Sequence, residues 1–492
     1  MDCDKSLRIE IDGRVGTLRC CKGDALLFVL QNAGIVIDAP CGGRGLCGKC
    51  RVKLLSGSVE GVQADGDGFI CACKARVIED IRIRLESGAV FENEVRFSLN
   101  TAAVKAADVA LDIGTTTVSA ALVDRISGAV LGSKSVLNPQ RVYGADVLSR
   151  ITACKNGNAK KLTSLIKSCV KEILCGFIEQ FALEKIERLY VAGNTVMMNL
   201  FAEEDVSAMG QYPFTPPFLS EKLFAGGELG LPADEVRLLP SLSPFIGADT
   251  VAAVYQTDLQ TSLETAMLLD VGTNCEIALK ANGKLYFCSA AAGPALEGAQ
   301  ISCGTGAVEG AISGVTLERG KIGLSTIGGA APKGLCGAGL IDAVALLRRA
   351  GLVSSDGAIT DEDVRKSGFS LAEGVTLLQN DIRQYQLAKS AVVSAIELLC
   401  AKAGIRTQDV SRVYMAGGLG FYLSEENAVY TGLLPKAFAG KTISVGNASL
   451  LGCIKLLRSG EGAEITCVKE IVDLNAESDF EKKFIENTAI SP

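Results

Sequence analysis

The chain contains no histidine and no tryptophan in its 492 residues. Without imidazole, histidine general bases, histidine-ligated zinc, and Rieske or haem–histidine sites are all excluded. Acid–base work must then fall to Asp, Glu, Lys, Tyr or water. No apolar run reaches the length of a membrane span, and no long basic run accompanies the net charge of −7. Neither a membrane nor a nucleic-acid partner is therefore expected. Met1-Asp2-Cys3-Asp4 opens on acids rather than a basic leader, so the expected location is cytoplasmic. Hydrophobic residues make up 48% and charged ones 21%, an ordinary globular balance, and the length calls for two or three domains.

Cysteine is plentiful instead, with eighteen. In a reducing compartment these do not read as a disulfide framework. Cys169, Cys175 and Cys400 fall on apolar helical faces and read as core, while Cys3, Cys20 and Cys21 look structural.

Residues 7–21 alternate as a hairpin, and Asp24 suits the N-cap of an apolar helix that Gly34 ends. Next comes Ala39-Pro40-Cys41-Gly42-Gly43-Arg44-Gly45-Leu46-Cys47-Gly48-Lys49-Cys50, then a strand, RVKLL. The glycines let the backbone curl so that N–H groups point at sulfur, which suits Cys41, Cys47 and Cys50 to a negatively charged iron–sulfur cluster. A fourth ligand is required, and Cys71 and Cys73 both offer one. The segment resembles the β-grasp [2Fe-2S] ferredoxins, whose last ligand sits in a Leu-Ala-Cys-like triplet. Cys71-Ala72-Cys73 matches that triplet in register, which implies Cys73 as the ligand and Cys71 as its packing neighbour. The C-x5-C spacing departs by one residue from the plant type and resembles the adrenodoxin-like branch. A four-cysteine zinc knuckle competes, but such knuckles usually pair two C-x2-C units. Residues 1–90 thus form one domain, and 91–107 lose the strand pattern and read as a linker.

The remainder carries an internal echo. Val109-Ala110-Leu111-Asp112-Ile113-Gly114-Thr115-Thr116-Thr117 recurs as Leu268-Leu269-Asp270-Val271-Gly272-Thr273-Asn274. Arg188-Leu189-Tyr190-Val191-Ala192-Gly193-Asn194-Thr195 recurs as Arg412-Val413-Tyr414-Met415-Ala416-Gly417-Gly418-Leu419, each after an amphipathic helix (161–182 and 383–403). Two α/β half-domains of one design are expected, at 108–255 and 256–492, the second with an insertion and a tail. In each hairpin a glycine turn lets N–H groups approach phosphate, Thr or Asn adds donors, and the Asp holds Mg²⁺ through water. Two such hairpins facing each other would grip phosphates from both sides.

This part resembles the superfamily of acetate and sugar kinases, heat-shock chaperone ATPases and actin, which implies a duplicated actin-like (ribonuclease H-like) ATPase domain. The resemblance makes Asp112, Gly114, Thr115, Thr116 and Thr117 the first phosphate loop, and Asp270, Gly272, Thr273 and Asn274 the second. Gly417, Gly418 and Gly420 become the adenosine loop. Ile246-Gly247-Ala248-Asp249-Thr250-Val251 is similar to a hexokinase stretch that supplies a catalytic Asp, so Asp249 is the candidate to orient or deprotonate water; its bland alternative is a helix N-cap. Gly446-Asn447-Ala448-Ser449-Leu450-Leu451-Gly452 reads as a second connecting helix whose small residues permit close packing. Arg383, Gln386 and Lys389 are similar to a chaperone helix that lies against adenosine, with a solvated helix face as the alternative.

The union of ferredoxin and ATPase resembles the reductive activators of corrinoid proteins. Asn138-Pro139-Gln140, Tyr143-Gly144-Ala145-Asp146-Val147, Ala192-Gly193-Asn194-Thr195, Ala292-Gly293-Pro294-Ala295-Leu296-Glu297-Gly298-Ala299, Gly334-Leu335-Cys336-Gly337-Ala338-Gly339-Leu340-Ile341-Asp342 and Asp381-Ile382 with Gln386-Leu387-Ala388-Lys389 carry it. Asn199 stands where a histidine is expected, Cys303-Gly304-Thr305-Gly306 lacks an expected arginine, and little room remains for a middle domain between cluster and ATPase. The resemblance implies an ATP-hydrolysing electron-transfer enzyme with a [2Fe-2S] cluster, ATP and Mg²⁺. It would be fed by an upstream electron donor and would return a methyltransferase system's cobalt(II) corrinoid protein to cobalt(I); homodimer formation is open. Plant-type clusters lie near about −400 mV, and each ~100 mV uphill costs about 2.3 kcal/mol per electron, hence a role for ATP. Two alternatives stand. One is an activator of a 2-hydroxyacyl-CoA dehydratase or benzoyl-CoA reductase-type enzyme, with Cys303 and Cys336 holding a cluster across a dimer. The other is a small-molecule kinase or actin-like protein. Glu297 and Asp342 have no assigned role.

Overall fold

The computed structural model describes residues 6–12, 17–32, 50–85, 106–144, 146–298, 300–318, 321–460 and 462–490. Cys41 and Cys47, Gly34 and most of the linker lie outside them. The chain divides into two compact units, Met1–Gln256 with Ala448–Glu464, and Thr257–Asn447 with Ile465–Pro492. Among the described residues no helix is long and apolar enough to cross a membrane.

The first unit opens with a five-stranded sheet. β1 (Ser6–Ile11) and β2 (Thr17–Cys21) form the expected hairpin, with Ser6 opposite Cys21. After α1 (Leu26–Asn32) follow β3 (Arg51–Ser56), β4 (Phe69–Cys71) and β5 (Ile81–Leu85), giving the sheet order β2-β1-β5-β3-β4 with β1 and β5 parallel. Alternation decides the buried face: Ile9, Ile11, Ile81 and Ile83 turn inward with Leu26 and Leu30 of α1. Asp12, at the end of β1, takes Arg82 at 2.8 Å and Arg84 at 2.6 Å from β5's outer face. These arginines hold its carboxyl below the usual range. Asp24 does not cap α1. Its carboxylate turns back and accepts from the Cys21 N–H at 2.8 Å, while the N–H groups of Leu26 and Leu27 bond the Ala75 and Ala72 carbonyls. Cys21 is disulfide-bonded.

A six-stranded sheet follows. β6 (Ala106–Ile113), β7 (Thr117–Asp124) and β8 (Val130–Leu137) make an antiparallel meander. The long helix α2 (Ala159–Phe181) then leads to β9 (Lys185–Gly193), parallel to β6. β10 (Lys222–Ala225) and β11 (Ala233–Leu238) complete the order β8-β7-β6-β9-β11-β10. Most of β6 and the second half of β9, Leu189–Gly193, are buried runs, as strands covered on both faces are. α2 buries Leu162, Ile166, Val170, Ile173, Leu174 and Phe177, a helical stripe. Cys175 on that helix is exposed and Cys169 half-buried, so neither is core; Cys400 is buried as expected. Cys175 falls outside the stripe's arc, where apolar neighbours in sequence do not make neighbours in space.

The second unit repeats the plan. β12 (Ala266–Val271), β13 (Cys275–Ala281) and β14 (Lys284–Ala290) form the meander. The insertion brings β15 (Ala311–Glu318), β16 (Lys321–Thr326) and α4 (Gly337–Arg349). α5 (Gln379–Lys402) leads to β17 (Arg412–Ala416), parallel to β12, and β18 (Thr442–Gly446) lies beyond it. β19 (Lys469–Ile471) adds to the far edge, giving β18-β17-β12-β13-β14-β19, and α7 (Ser478–Glu486) ends the described fold. Core strand order and strand direction match those of the first sheet. The register matches too: Asp112 pairs with Ala192, and Asp270 with Ala416.

Within the first unit α3 (Ala248–Gln256) packs on α6 (Ala448–Ser459). A methyl group on Gly452 would lie 1.8 Å from the Ala252 carbonyl oxygen, so the helices meet where only hydrogen fits. Gly452→Ala is expected to destabilise the protein by about 2 kcal/mol in urea unfolding. Gly227→Ala, with nothing within 4 Å of the added carbon, should stay within about 0.5 kcal/mol of the parent.

Candidate functional site

In the ferredoxin-like domain the described part of the cluster cradle is Cys50, Cys71 and Cys73. Cys50 is fully buried just before β3, and its sulfur accepts the Cys73 N–H at 3.3 Å. Contact with the Cys73 side chain, then burial, push the Cys50 thiol far up. Two sulfurs in hydrogen-bonding contact, one of them receiving a backbone N–H, match the donor set of an iron–sulfur cluster. Cys71 lies at the end of β4, its Cα opposite Arg51. The Cys73 N–H therefore serves the cradle sulfur directly.

The first hairpin turn gathers motifs far apart in sequence. Gly114 has no room for a side chain: an added carbon would lie 2.7 Å from the Thr117 carbonyl oxygen. Asn138 braces the turn by donating to the Gly114 carbonyl at 2.9 Å, and its own N–H donates to the Thr116 carbonyl at 2.9 Å. Arg150, fully buried, donates to the Thr115 carbonyl and, at 3.2 Å, to Gln140 Oε1. Asn194 Nδ2 donates to Thr115 Oγ1 at 3.1 Å, while Asn194 Oδ1 caps the following helix at the Met197 N–H, 3.0 Å away. The Asn-Pro-Gln, Ala-Gly-Asn-Thr and Asp-x-Gly-Thr strings thus build one loop.

Asp249 lies at the second position of α3. Gly247 lets that helix end come close, since a carbon there would sit 2.6 Å from both Asn194 Cα and Asp249 Oδ1. Asp249 Oδ1 accepts from the Thr250 N–H at 2.7 Å. Desolvation first, then the nearby Asp112 charge, raise its carboxyl to about 6. Asp112 in turn accepts from Ser449 Oγ of α6 at 2.8 Å. Asp249 and Asp112 therefore share one electrostatic site. Asn199, at the place expected for a histidine, is buried and structural: it donates to the Thr195 carbonyl at 2.8 Å and the Phe218 carbonyl at 3.2 Å, and accepts from the Phe218 N–H.

In the second unit the Gly272 N–H closes its turn on the Asn274 carbonyl at 2.9 Å. Gly417, at φ +80°, leaves space that Asp270 Oδ1 reaches; a side chain there would meet it at 2.7 Å. Gly418 faces open space, and Gly420 is tight against the Met415 backbone. Thr273 Oγ1 donates to the Glu297 carboxylate. Glu297, unassigned from sequence, therefore belongs to the second loop; the sequence signal was its glycine-rich string. Asp342 is buried within the insertion, on α4, accepting from Asn427 Nδ2 at 2.6 Å and the Val315 N–H at 3.3 Å, with burial raising its carboxyl.

On the polar face of α5, Gln386 and Lys389 are buried and Arg383 is exposed. Lys389 Nζ donates to the carbonyls of Asn487 at 2.7 Å and Ala489 at 2.6 Å. Gln386 Nε2 donates to the carbonyls of Thr488 at 2.8 Å and Asp356 at 3.1 Å, and its Oε1 accepts from Arg383 Nη1 at 2.6 Å. Burial alone lowers Lys389 to about 8. All three residues, which the sequence resemblance sets against adenosine, bond backbone carbonyls of this chain.

Residues 9–77 match the 2Fe-2S iron-sulfur cluster binding domain. Residues 107–262 match the RACo middle region, and 264–492 the C-terminal domain of RACo, the ASKHA domain. The chain belongs to the RACo family. Its corrinoid-activation relative RamQ, from Eubacterium limosum, is 33% identical over 395 residues, 74% of this chain and 66% of that protein. The [Co(II) methylated amine-specific corrinoid protein] reductase of Methanosarcina barkeri is 28% identical over 306 residues, 54% of this chain and 55% of that one. The match spans less than two thirds of either relative. A solved reductive activator for a corrinoid, iron-sulfur protein shares 26% identity and a TM-score of 0.73, covering 98% of both chains. The match to the RACo middle region takes in the first hairpin and the segment expected as the first half of the duplicated domain.

Asp249 gives a signed test. Its folded pKa lies above the ordinary 3.8, so the folded state holds the proton more tightly and loses stability as pH rises from about 4 to 6. Asp249→Asn should therefore raise stability by roughly 2 kcal/mol at pH 7.5 and by little at pH 4, measured by thermal unfolding.

Proposed function

We propose that this chain is an ATP-dependent reductive activator that docks a corrinoid protein of a methyltransferase system and passes one electron to its cobalt(II), returning it to cobalt(I). One observation carries the reading. A single chain unites a 2Fe-2S domain with two Asp-x-Gly-Thr hairpins in matching register, in a family whose relatives bear names of corrinoid activation. The fold match with a reductive activator over nearly the whole chain supports it.

In this reading Cys41, Cys47, Cys50 and Cys73 hold a [2Fe-2S] cluster, which supplies one-electron transfer when bound. The Cys73 N–H at the Cys50 sulfur lowers the cost of holding negative charge there, against the cost that burial of Cys50 adds. An upstream one-electron donor replaces each electron given to cobalt, so the protein turns over unchanged. Asp112, Gly114, Thr115, Thr116 and Thr117, with Asp270, Gly272, Thr273 and Asn274, receive the phosphates and, through water, Mg²⁺. Gly417, Gly418 and Gly420, with Arg383, Gln386 and Lys389, take the adenosine side. Asp249, mostly ionised at neutral pH, orients the attacking water and accepts its proton. ATP drives the uphill electron only if its binding changes affinity for the cobalt(II) state of the partner.

The dehydratase-activator alternative needs Cys336 to reach a second chain. Cys336 is 3% exposed and leads into α4, which counts against it.

Anaerobic mixing of reduced protein, Mg-ATP and a cobalt(II) corrinoid protein should produce the cobalt(I) spectrum, and omission of ATP should abolish it. Cobalt(II) that persists with ATP present overturns the reading. Cys73→Ser should lose the cluster's visible absorption after iron and sulfide loading, whereas Cys71→Ser should keep most of it. Asp249→Asn should lower ATP turnover by about 10²-fold or more at unchanged cluster content.

A further inference from the structure

The segment that follows α7 lies where the proposed adenosine contacts are. Residues 487–490 are neither helix nor strand, yet their carbonyls are taken up in sequence by side chains. Lys389 bonds those of Asn487 and Ala489, Gln386 that of Thr488, and Arg348 Nε that of Ile490 at 2.9 Å. Asn487 Nδ2 donates to Ser394 Oγ at 3.0 Å, and the Ile490 N–H donates to the Ser355 carbonyl at 2.7 Å. Ile490 itself is fully buried. Upstream, Glu477 pairs with Lys402 at 2.7 Å and Lys483 with Glu397 at 3.2 Å, so α7 is tied to α5 independently of these residues.

Two features set this contact apart from ordinary packing. Lys389 is almost completely buried, and among the described residues no carboxylate bonds it; only neutral carbonyls meet its ammonium. A buried cation without an anion is a costly way to pin a short peptide, which an apolar side chain would do at less expense. Gln386 and Lys389 also offer their N–H donors to a row of acceptors, as a nucleoside's ring nitrogens and ribose oxygens would be.

We propose that residues 487–490 form a strap that occupies the adenosine-side seat of the ASKHA domain, so that ATP binds in competition with it. The strap is an internal brake on the nucleotide step: Gln386 and Lys389 serve the strap in the resting chain and the nucleotide after release. This rests on the assignment of those residues to ATP made above, and adds what holds the seat before ATP arrives.

The test uses the full chain, Mg²⁺ and a fluorescent N-methylanthraniloyl ATP. Ile490→Asp removes the buried anchor, and a second variant stops after Glu486. Both should bind the probe about tenfold or more tightly than the parent. Lys389→Met placed in the shortened chain should reverse the gain. In the parent, saturating Mg-ATP should accelerate hydrogen exchange at the Ile490 amide at least tenfold, because its bond to Ser355 is lost. Equal affinities in parent and variants, or an unchanged Ile490 exchange rate while the probe is demonstrably bound, overturn the strap and leave the ATP reading standing. Failure of every form to bind the probe, with α-helical content intact by circular dichroism, overturns both.

Discussion

The structure depends on close backbone approach at the ends of paired parallel strands. In both units an aspartate sits one residue before the last residue of its strand, beside an alanine of the neighbouring parallel strand, whose next residue is a glycine. That geometry places a carboxylate at a tight turn and leaves no space for side chains at Gly114, Gly193 or Gly417. A methyl group at any of these would collide with backbone or with the aspartate itself. In the proposed function the N–H groups of such a turn meet phosphate, and the carboxylate beside them serves a hydrated cation.

Around that constraint the first unit spends its buried polar groups on holding one loop still. Asn138, Arg150 and Asn194 all bond atoms of the Gly114–Thr116 turn, and Ser449 bonds Asp112 from a helix more than three hundred residues later. Hydrogen bonds to backbone carbonyls orient the loop before any ligand arrives, which lowers the ordering cost of binding. Asp112 is supplied with a hydroxyl donor, whereas Asp249 is desolvated and raised toward 6. A buried acid raised in this way is characteristic of sites that handle protons.

The second unit carries the same strand plan with different furnishings. Its turn is met by Glu297 through Thr273 rather than by a buried arginine, and its long helix is overlain by a strap. Duplication preserved the backbone, because register and glycine positions tolerate no change. Side chains around it diverged, because each loop needs only some brace, not a particular one.

Much of this was legible from residues alone. Hairpin alternation, the cysteine spacing, the repeated Asp-x-Gly-Thr strings and the amphipathic helices are local patterns, and local patterns follow from backbone sterics and from the periods of strand and helix. They set the α/β class, the duplication and the cluster domain. What only the tertiary structure decided were partners distant in sequence. Asp24 turned to Cys21 rather than to a helix, Cys175 fell off the buried arc, Glu297 joined the second turn, and Gln386 and Lys389 found carbonyls about a hundred residues away. A side chain's donors and acceptors are written in its identity, but which of them are satisfied depends on chain segments that meet only after folding.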